Sequence, residues 1–244
     1  TTKYGEDLYG KLALLDLLKE LNEIEGFHWI RILYMYPDEI NDELIEGMAK
    51  LDKVIPYFDI PMQHANNKML KLMNRRGSKE EVLKTVKKIR ETFKHPTLRT
   101  TFIVGFPHEE EAEFNEMLEF VKEVKWNSMG AFAYSREEDT PAYEMGDQIE
   151  EEVKEARVDL LMREQKEISY EINKNLIGEE LEVLVEGRDA LKDIYRGRSV
   201  FNAPDDVDGM VFFTSERMIP MGSFVKVKIV DAKPYDLIGE EVLD

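Results

Sequence analysis

The chain of 244 residues contains no cysteine. That excludes disulfides, thiolate catalysis and any cysteine-ligated zinc or iron–sulfur centre built from these residues alone. Positive charge is scarce too: 33 Lys and Arg face 51 Asp and Glu, leaving a formal net charge of -18. Such a surface repels phosphate polyanions at long range, which disfavours a general nucleic-acid or anionic-membrane binder and favours a basic partner. No apolar run approaches the ~20 residues that span a bilayer, and the opening TTKYGEDLYG lacks the cationic and apolar regions of a signal peptide. No membrane association and a cytoplasmic setting are therefore expected. Gly-x-Gly-x-x-Gly, Walker and His-Glu-x-x-His sequences are missing, and the four histidines are too scattered to suggest a zinc site.

What is present is an ordinary globular composition, 43% apolar and 10% aromatic, on a length suited to one or two domains. Helical spacing of Leu8, Leu12, Leu15, Leu18 and Leu21 predicts a helix over 7–25. Further helices are expected over 40–50, 66–94 and 109–125, the second of these broken near Arg76-Gly77-Ser78. Between them lie four strand-like runs, 29–37, 54–64, 97–107 and 128–135, rich in β-branched and aromatic residues. Strand then helix, repeated, predicts parallel βα units over residues 1–150, too few for a closed eight-stranded barrel but enough for a partial one. The first helix has no strand before it, so sequence upstream of Thr1 is expected. Residues 151–176 read as a charged linking helix. After Gly178 the period changes to two, and about five short strands over 177–244 predict a small antiparallel barrel. The fold class expected is α/β, followed by this small all-β domain.

In parallel βα units the carboxyl ends of the strands share one rim, which is the default place for a ligand. Tyr34, Tyr36, Gln63, His64, Gly105 and Tyr134 fall there, with no obvious nucleophile or metal cluster. Glu109, Glu110 and Glu111 stand where a phosphate-binding helix would need bare amides, so a nucleotide phosphate is disfavoured. His64 either closes a strand and caps the next helix or touches substrate. Arg99 and Thr101 alternate with apolar Leu98, Phe102 and Val104, facing either solvent or a ligand. Arg75 and Arg76 form a basic pair, a solvated helix end or a substrate contact. In the tail, 15 acidic residues outnumber 8 basic ones, and Arg196, Arg198, Phe201, Phe212 and Phe213 either form a local nucleic-acid patch or, for the phenylalanines, the barrel core. The charge favours a cationic polypeptide over RNA.

Three strings, FDIPMQHANNKMLKLMNRRGS (58–78), TLRTTFIVGFPHEEEAEF (97–114) and FAYSREEDTPAY (132–143), in this order and ahead of a small all-β tail, closely resemble the methylthiotransferase branch of the radical S-adenosylmethionine (SAM) enzymes. The tail resembles their TRAM domain. IPMQH is similar to the branch members that modify a small-subunit ribosomal protein, whereas tRNA-modifying members usually show Ser-Gly after the glutamine. The family usually reads GFPGET where this chain has GFPHEE, and Gly-Thr-Pro-Ala where it has Asp139-Thr140-Pro141-Ala142.

The resemblance implies a cluster-binding CxxxCxxC upstream of Thr1, a further N-terminal domain, and SAM plus two [4Fe-4S] clusters in the intact protein. The 244 residues alone, lacking the cluster ligands, would be inactive. It further implies that Gln63, Arg99 and Thr101 bond the sugar or methionine part of SAM, that Phe132 and Tyr134 flank adenine, and that Gly105 lets the nucleoside approach. His64, Arg75 and Arg76 would be weaker substrate contacts. The implied reaction adds a methylthio group to an aspartate side chain of a basic small-subunit ribosomal protein, with ribosome contact possible. Three rivals stand beside it: tRNA adenosine as substrate, a cluster-free adaptor, and a fragment of an ordinary barrel lyase or aldolase, for which the rim shows neither a clear lysine nor paired carboxylates.

Overall fold

The structure is a computed structural model, which describes residues 1–204 and 207–243. It divides into two compact units, Thr1–Gln165 and Lys166–Asp244.

In the first unit the elements run α1 (Glu6–Tyr9), α2 (Leu14–Glu23), a 3-10 turn (Pro37–Glu39), α3 (Asp42–Met48), β1 (Tyr57–Asp59), α4 (Asn67–Leu72), α5 (Lys79–Thr92), β2 (Thr97–Val104), α6 (Glu111–Val124) and β3 (Ser128–Ala133). The single helix expected over 7–25 is two. Gly10 turns left-handed (φ 66°) and its N–H closes α1 on Glu6 O, a geometry glycine adopts at no steric cost. Leu8 and Leu12 are consequently exposed, and the buried leucines are Leu14 and Leu18. Asn41, Asn66 and Ser78 cap α3, α4 and α5 by accepting backbone N–H groups of Leu44, Met69 and Glu81. Left-handed Gly77 (φ 85°) lies in the break between α4 and α5 that the sequence predicts.

The sheet is parallel throughout, in the order β1-β2-β3. The run 29–37 lies beside β1 through the Ile30–Val54 bridge and the Met35 N–H to Asp59 O bond, but is not a continuous strand. Tyr34, at φ 58°, breaks its extended path. Along β2 burial alternates: Leu98, Thr100, Phe102 and Val104 are buried, whereas Arg99, Thr101 and Ile103 are half-buried. Phe102 meets Phe120 of α6 edge-on at 6.5 Å, and Phe58 meets Phe93 at 5.5 Å, so helices cover that face. Each such ring contributes about 1.5–3 kcal/mol on burial. The opposite face is left open to carry chemistry.

Helix α7 (Glu151–Lys174) gives its first part to this unit and its last part to the second. There β4 (Glu180–Asp189), β5 (Ile194–Arg198), β6 (Val211–Thr214), β7 (Phe224–Ala232) and β8 (Leu237–Glu241) close a barrel in the order β4-β5-β6-β8-β7. Alternate residues, among them Val183, Val185, Tyr195, Phe213, Val227 and Ile229, fill it. The expected antiparallel barrel has one exception: β6 and β8 pair in parallel, because the β7–β8 hairpin inserts β8 between β7 and β6. The tail aromatics divide. Phe213 is core and stacks on Tyr195, whereas Phe201 and Phe212 are half-buried; exposed Arg196 stands opposite Phe212, and Arg198 is paired with Glu186. Among the described residues no helix is long and apolar enough to cross a membrane.

Candidate functional site

The open face of the sheet gathers several of the residues singled out in the sequence. Register places Thr101 opposite Gly130 and Ile103 opposite Phe132. On the other side Gln63 is bonded to the same stretch: its N–H donates to Thr101 O and its carbonyl accepts from Ile103 N–H. A side chain on Gly130 would meet the Phe132 ring at 3.3 Å and Thr101 Oγ1 at 3.9 Å. Glycine thus leaves a bare patch of sheet between a hydroxyl and a ring that is 60% exposed. Gly130 escaped the sequence reading; its signal was a lone glycine inside a strand pattern.

Arg99 lies on this face but is already engaged. Its Nη1 donates to Asp59 Oδ1 at 2.8 Å, and Asp59 Oδ2 accepts Tyr34 N–H at 2.9 Å. Asp59 was not foreseen, because a carboxylate within an apolar run reads as an interruption rather than as a buried partner.

Three chain segments end in left-handed residues at the rim: Tyr34 (φ 58°), Gln63 (φ 73°) and Gly105 (φ 71°). Backbone conformations of this kind persist where surrounding contacts impose them, and they cluster at functional sites. Tyr34 is held by Asp59 and Gln63 by β2, and around Gly105 the contacts centre on Glu109, whose side chain is fully buried. Its Oε1 accepts Gly105 N–H at 3.0 Å and Arg157 Nη1 at 2.6 Å, and its Oε2 lies 3.2 Å from His64 Nε2. His64 Nδ1 accepts Asn66 N–H at 2.9 Å, which assigns the imidazole proton to Nε2 and makes His64 a donor to Glu109. The histidine is therefore enclosed and fully partnered. It closes a strand and caps the turn that follows. Next to it, Asn66 and the Lys79 ammonium both bond Glu116, and chiefly the Lys79 bond holds that carboxyl below its ordinary pKa.

Gly105 also packs closely. The space a side chain would fill there is taken by Lys154, with Cγ 2.2 Å from the ideal Cβ position, so the glycine accommodates helix α7 on that side. Tyr134 is half-buried: its carbonyl accepts Lys154 Nζ, its ring meets Phe106 at 5.1 Å, and its buried hydroxyl has no partner among the described residues. Arg75 donates to Pro61 O and lies over the Tyr36 ring, while Arg76 is exposed. His108 and Asp139, at the two places where the resembled family carries glycine, keep left-handed backbones (φ 66° and 64°), and His108 Nδ1 lies 2.8 Å from Asp147 Oδ2. Both residues thus adopt a backbone conformation that glycine takes at no steric cost.

A partial parallel βα sheet with an open rim, followed by a closed five-stranded barrel, agrees with two family matches: residues 4–121 match the radical SAM superfamily and residues 177–242 the TRAM domain. The chain thus holds a radical SAM domain over 4–121 and a TRAM domain over 177–242. It is similar to proteins named ribosomal protein uS12 methylthiotransferase RimO. Identity is 49% with that of Clostridium botulinum (98% of this chain, 53% of the relative), 49% with that of Clostridioides difficile (98% and 54%) and 48% with that of Caldicellulosiruptor saccharolyticus (99% and 54%). The chain spans about half the length of these curated relatives.

The radical SAM match implies SAM and iron–sulfur chemistry. The open face fits a nucleoside: Gly130 provides a bare platform, Phe132 an exposed ring, and Thr101 a hydroxyl beside it. A cluster does not fit these 244 residues, which contain no thiolate.

Proposed function

We propose that this chain is the SAM-binding and C-terminal part of a methylthiotransferase acting on an aspartate side chain of small-subunit ribosomal protein uS12. The 49% identity with uS12 methylthiotransferases over 98% of this chain carries the reading. Gln63, Thr101, Phe132 and Tyr134 would hold SAM, Arg99 would reach it from the Asp59 pair, and Gly105 would shape the loop. Arg75 and Arg76 would lie toward the substrate side. When bound, SAM supplies radical hydrogen abstraction and the methyl group. The protein positions the reacting groups and excludes water. Two [4Fe-4S] clusters would take their cysteines from outside these residues.

In functional terms the division is a SAM-binding part over 1–150, a linking helix over 151–176 and a TRAM barrel over 177–244. The barrel's acidic surplus, 15 residues against 8 basic, supports a basic protein as its partner and weighs against tRNA. The intact protein, acting in the cytoplasm, would meet uS12 free or on the ribosome. Binding of the intact enzyme to purified uS12 and to tRNA, each at two salt concentrations, tests the choice. Preference for uS12 is expected; tight tRNA binding with a steep salt slope would overturn it.

A further inference from the structure

Helix α7 would be expected to act only as a connection, yet its first two turns send two cations under the rim. Lys154 is buried, and its stem occupies the space beside Gly105. Its Nζ donates to Tyr134 O at 3.0 Å and to Glu151 Oε2 at 2.9 Å. One turn on, Arg157 Nη1 donates to Glu109 Oε1 at 2.6 Å and to Glu109 O at 3.1 Å, with the guanidinium over the Phe114 ring. Glu109 in turn holds Gly105 N–H and His64. The end of β2 is thus held through Gly105 and Glu109, and the segment leaving β3 through Tyr134 O. Without Arg157, Glu109 would be a buried carboxylate facing a neutral imidazole and an amide, a costly arrangement.

We propose that Lys154 and Arg157 are positioning residues for SAM, which set the shape of the strand-end rim from helix α7. This rests on the reading of the rim as the SAM site. Neither residue lies on the open face, so both act through Gly105, Glu109 and Tyr134. The glycine of the strand-end motif is then one half of a glycine–lysine fit. Enlarging Gly105 while keeping Lys154 forces the helix away, whereas enlarging it after trimming Lys154 to alanine leaves a single close contact, with Cβ of residue 154 at 3.1 Å, and the backbone strain of a left-handed alanine.

The test compares Lys154→Ala, Lys154→Met, Arg157→Met and Arg157→Lys with wild type in the full-length, cluster-reconstituted enzyme, by equilibrium dialysis against labelled SAM and by kcat and KM for SAM. Lys154→Ala and Arg157→Met are expected to weaken SAM binding about ten- to a hundredfold, as small misplacements of a site do. The loss should be larger in KM than in kcat. Lys154→Met keeps the stem and Arg157→Lys keeps the charge, so both should recover part of the affinity, and they serve where the other two do not fold.

A second readout needs no cofactor: in the 244-residue chain, Arg157→Met should speed hydrogen exchange at the Gly105 amide, followed by NMR, and Gly105→Ala should cost less stability in the Lys154→Ala background than in wild type. Unchanged SAM affinity in the variants of an enzyme that binds SAM overturns the proposal. So do unchanged Gly105 exchange and strict additivity of the Gly105 and Lys154 substitutions. If the wild-type enzyme binds SAM but loses none of it on replacing Gln63, Thr101 and Phe132 together, the reading of the rim fails instead.

Discussion

Arg99 and Asp59 stand directly opposite each other in the register of β1 and β2, and the guanidinium donates to the carboxylate at 2.8 Å. The second carboxylate oxygen takes the amide of Tyr34, so one buried acid joins three neighbouring chain segments below the rim.

Removing the cation should therefore be felt in folding as well as in binding. Arg99→Met strands a carboxylate whose side chain is 2% exposed, and a loss of about 3–5 kcal/mol is expected for breaking such a pair from one side. Arg99→Lys should lose less. Urea unfolding followed by tryptophan fluorescence reports it through Trp126, buried in the same unit; a cost below about 1 kcal/mol, the range of exposed pairs, would show that the carboxylate finds other support.

Phe132 should behave in the opposite way. Its ring is 60% exposed, so Phe132→Ala is expected to leave stability within about 0.5 kcal/mol. SAM affinity of the intact enzyme should nevertheless fall, and calorimetric titration against the melting midpoint separates the two effects.

Acid should loosen the barrel through Glu241. Its carboxyl accepts from Arg217 and from Ser215 Oγ, and chiefly the Arg217 bond holds its pKa below the ordinary carboxylate value. A carboxylate with a depressed folded pKa contributes stability that is complete above the unfolded value, about 4.3 for Glu, and is lost as pH falls through the folded value. Wild type should lose more stability than Glu241→Gln between pH 7 and pH 3, by about 1–3 kcal/mol, the worth of a charged hydrogen bond. Parallel denaturation curves at the two pH values would refute this.

Two glycines of the second unit should differ sharply when replaced by alanine. At Gly197, inside the barrel, the new Cβ would lie 2.2 Å from Leu184 O and 2.7 Å from Val183 Cγ1; the backbone cannot yield cheaply, and a cost of about 3 kcal/mol is expected. Gly178 has open space around it, leaving only the penalty of φ 94°, about 1–2 kcal/mol. Thermal midpoints of the two variants should rank in that order.

Much of this molecule is legible in its amino acids, for physical reasons that also mark where legibility stops. The strand over 97–104 follows from its β-branched run, that over 128–133 from a short apolar stretch around Phe132, and the change to period two after Gly178 announces the barrel, because these signals are local. The break at Gly10 was passed over because leucine spacing continues across it, although only the left-handed turn decides which leucines are buried. For His64, nothing near it in sequence reveals Glu109, 45 residues on, as its partner. Lys154 and Arg157 were hidden for the same reason. In a run of charged helical residues, the two that turn inward carry no mark, and only the packing of α7 against the strand ends distinguishes them.

The parallel pairing of β6 with β8 has a bearing on how the barrel comes into being. Because the last strand made is the wedge that joins the third to the fourth, no shorter nascent chain can seal the ring. During synthesis the domain must wait, with the inner faces of its first four strands uncovered, until residues 237–241 have left the exit tunnel.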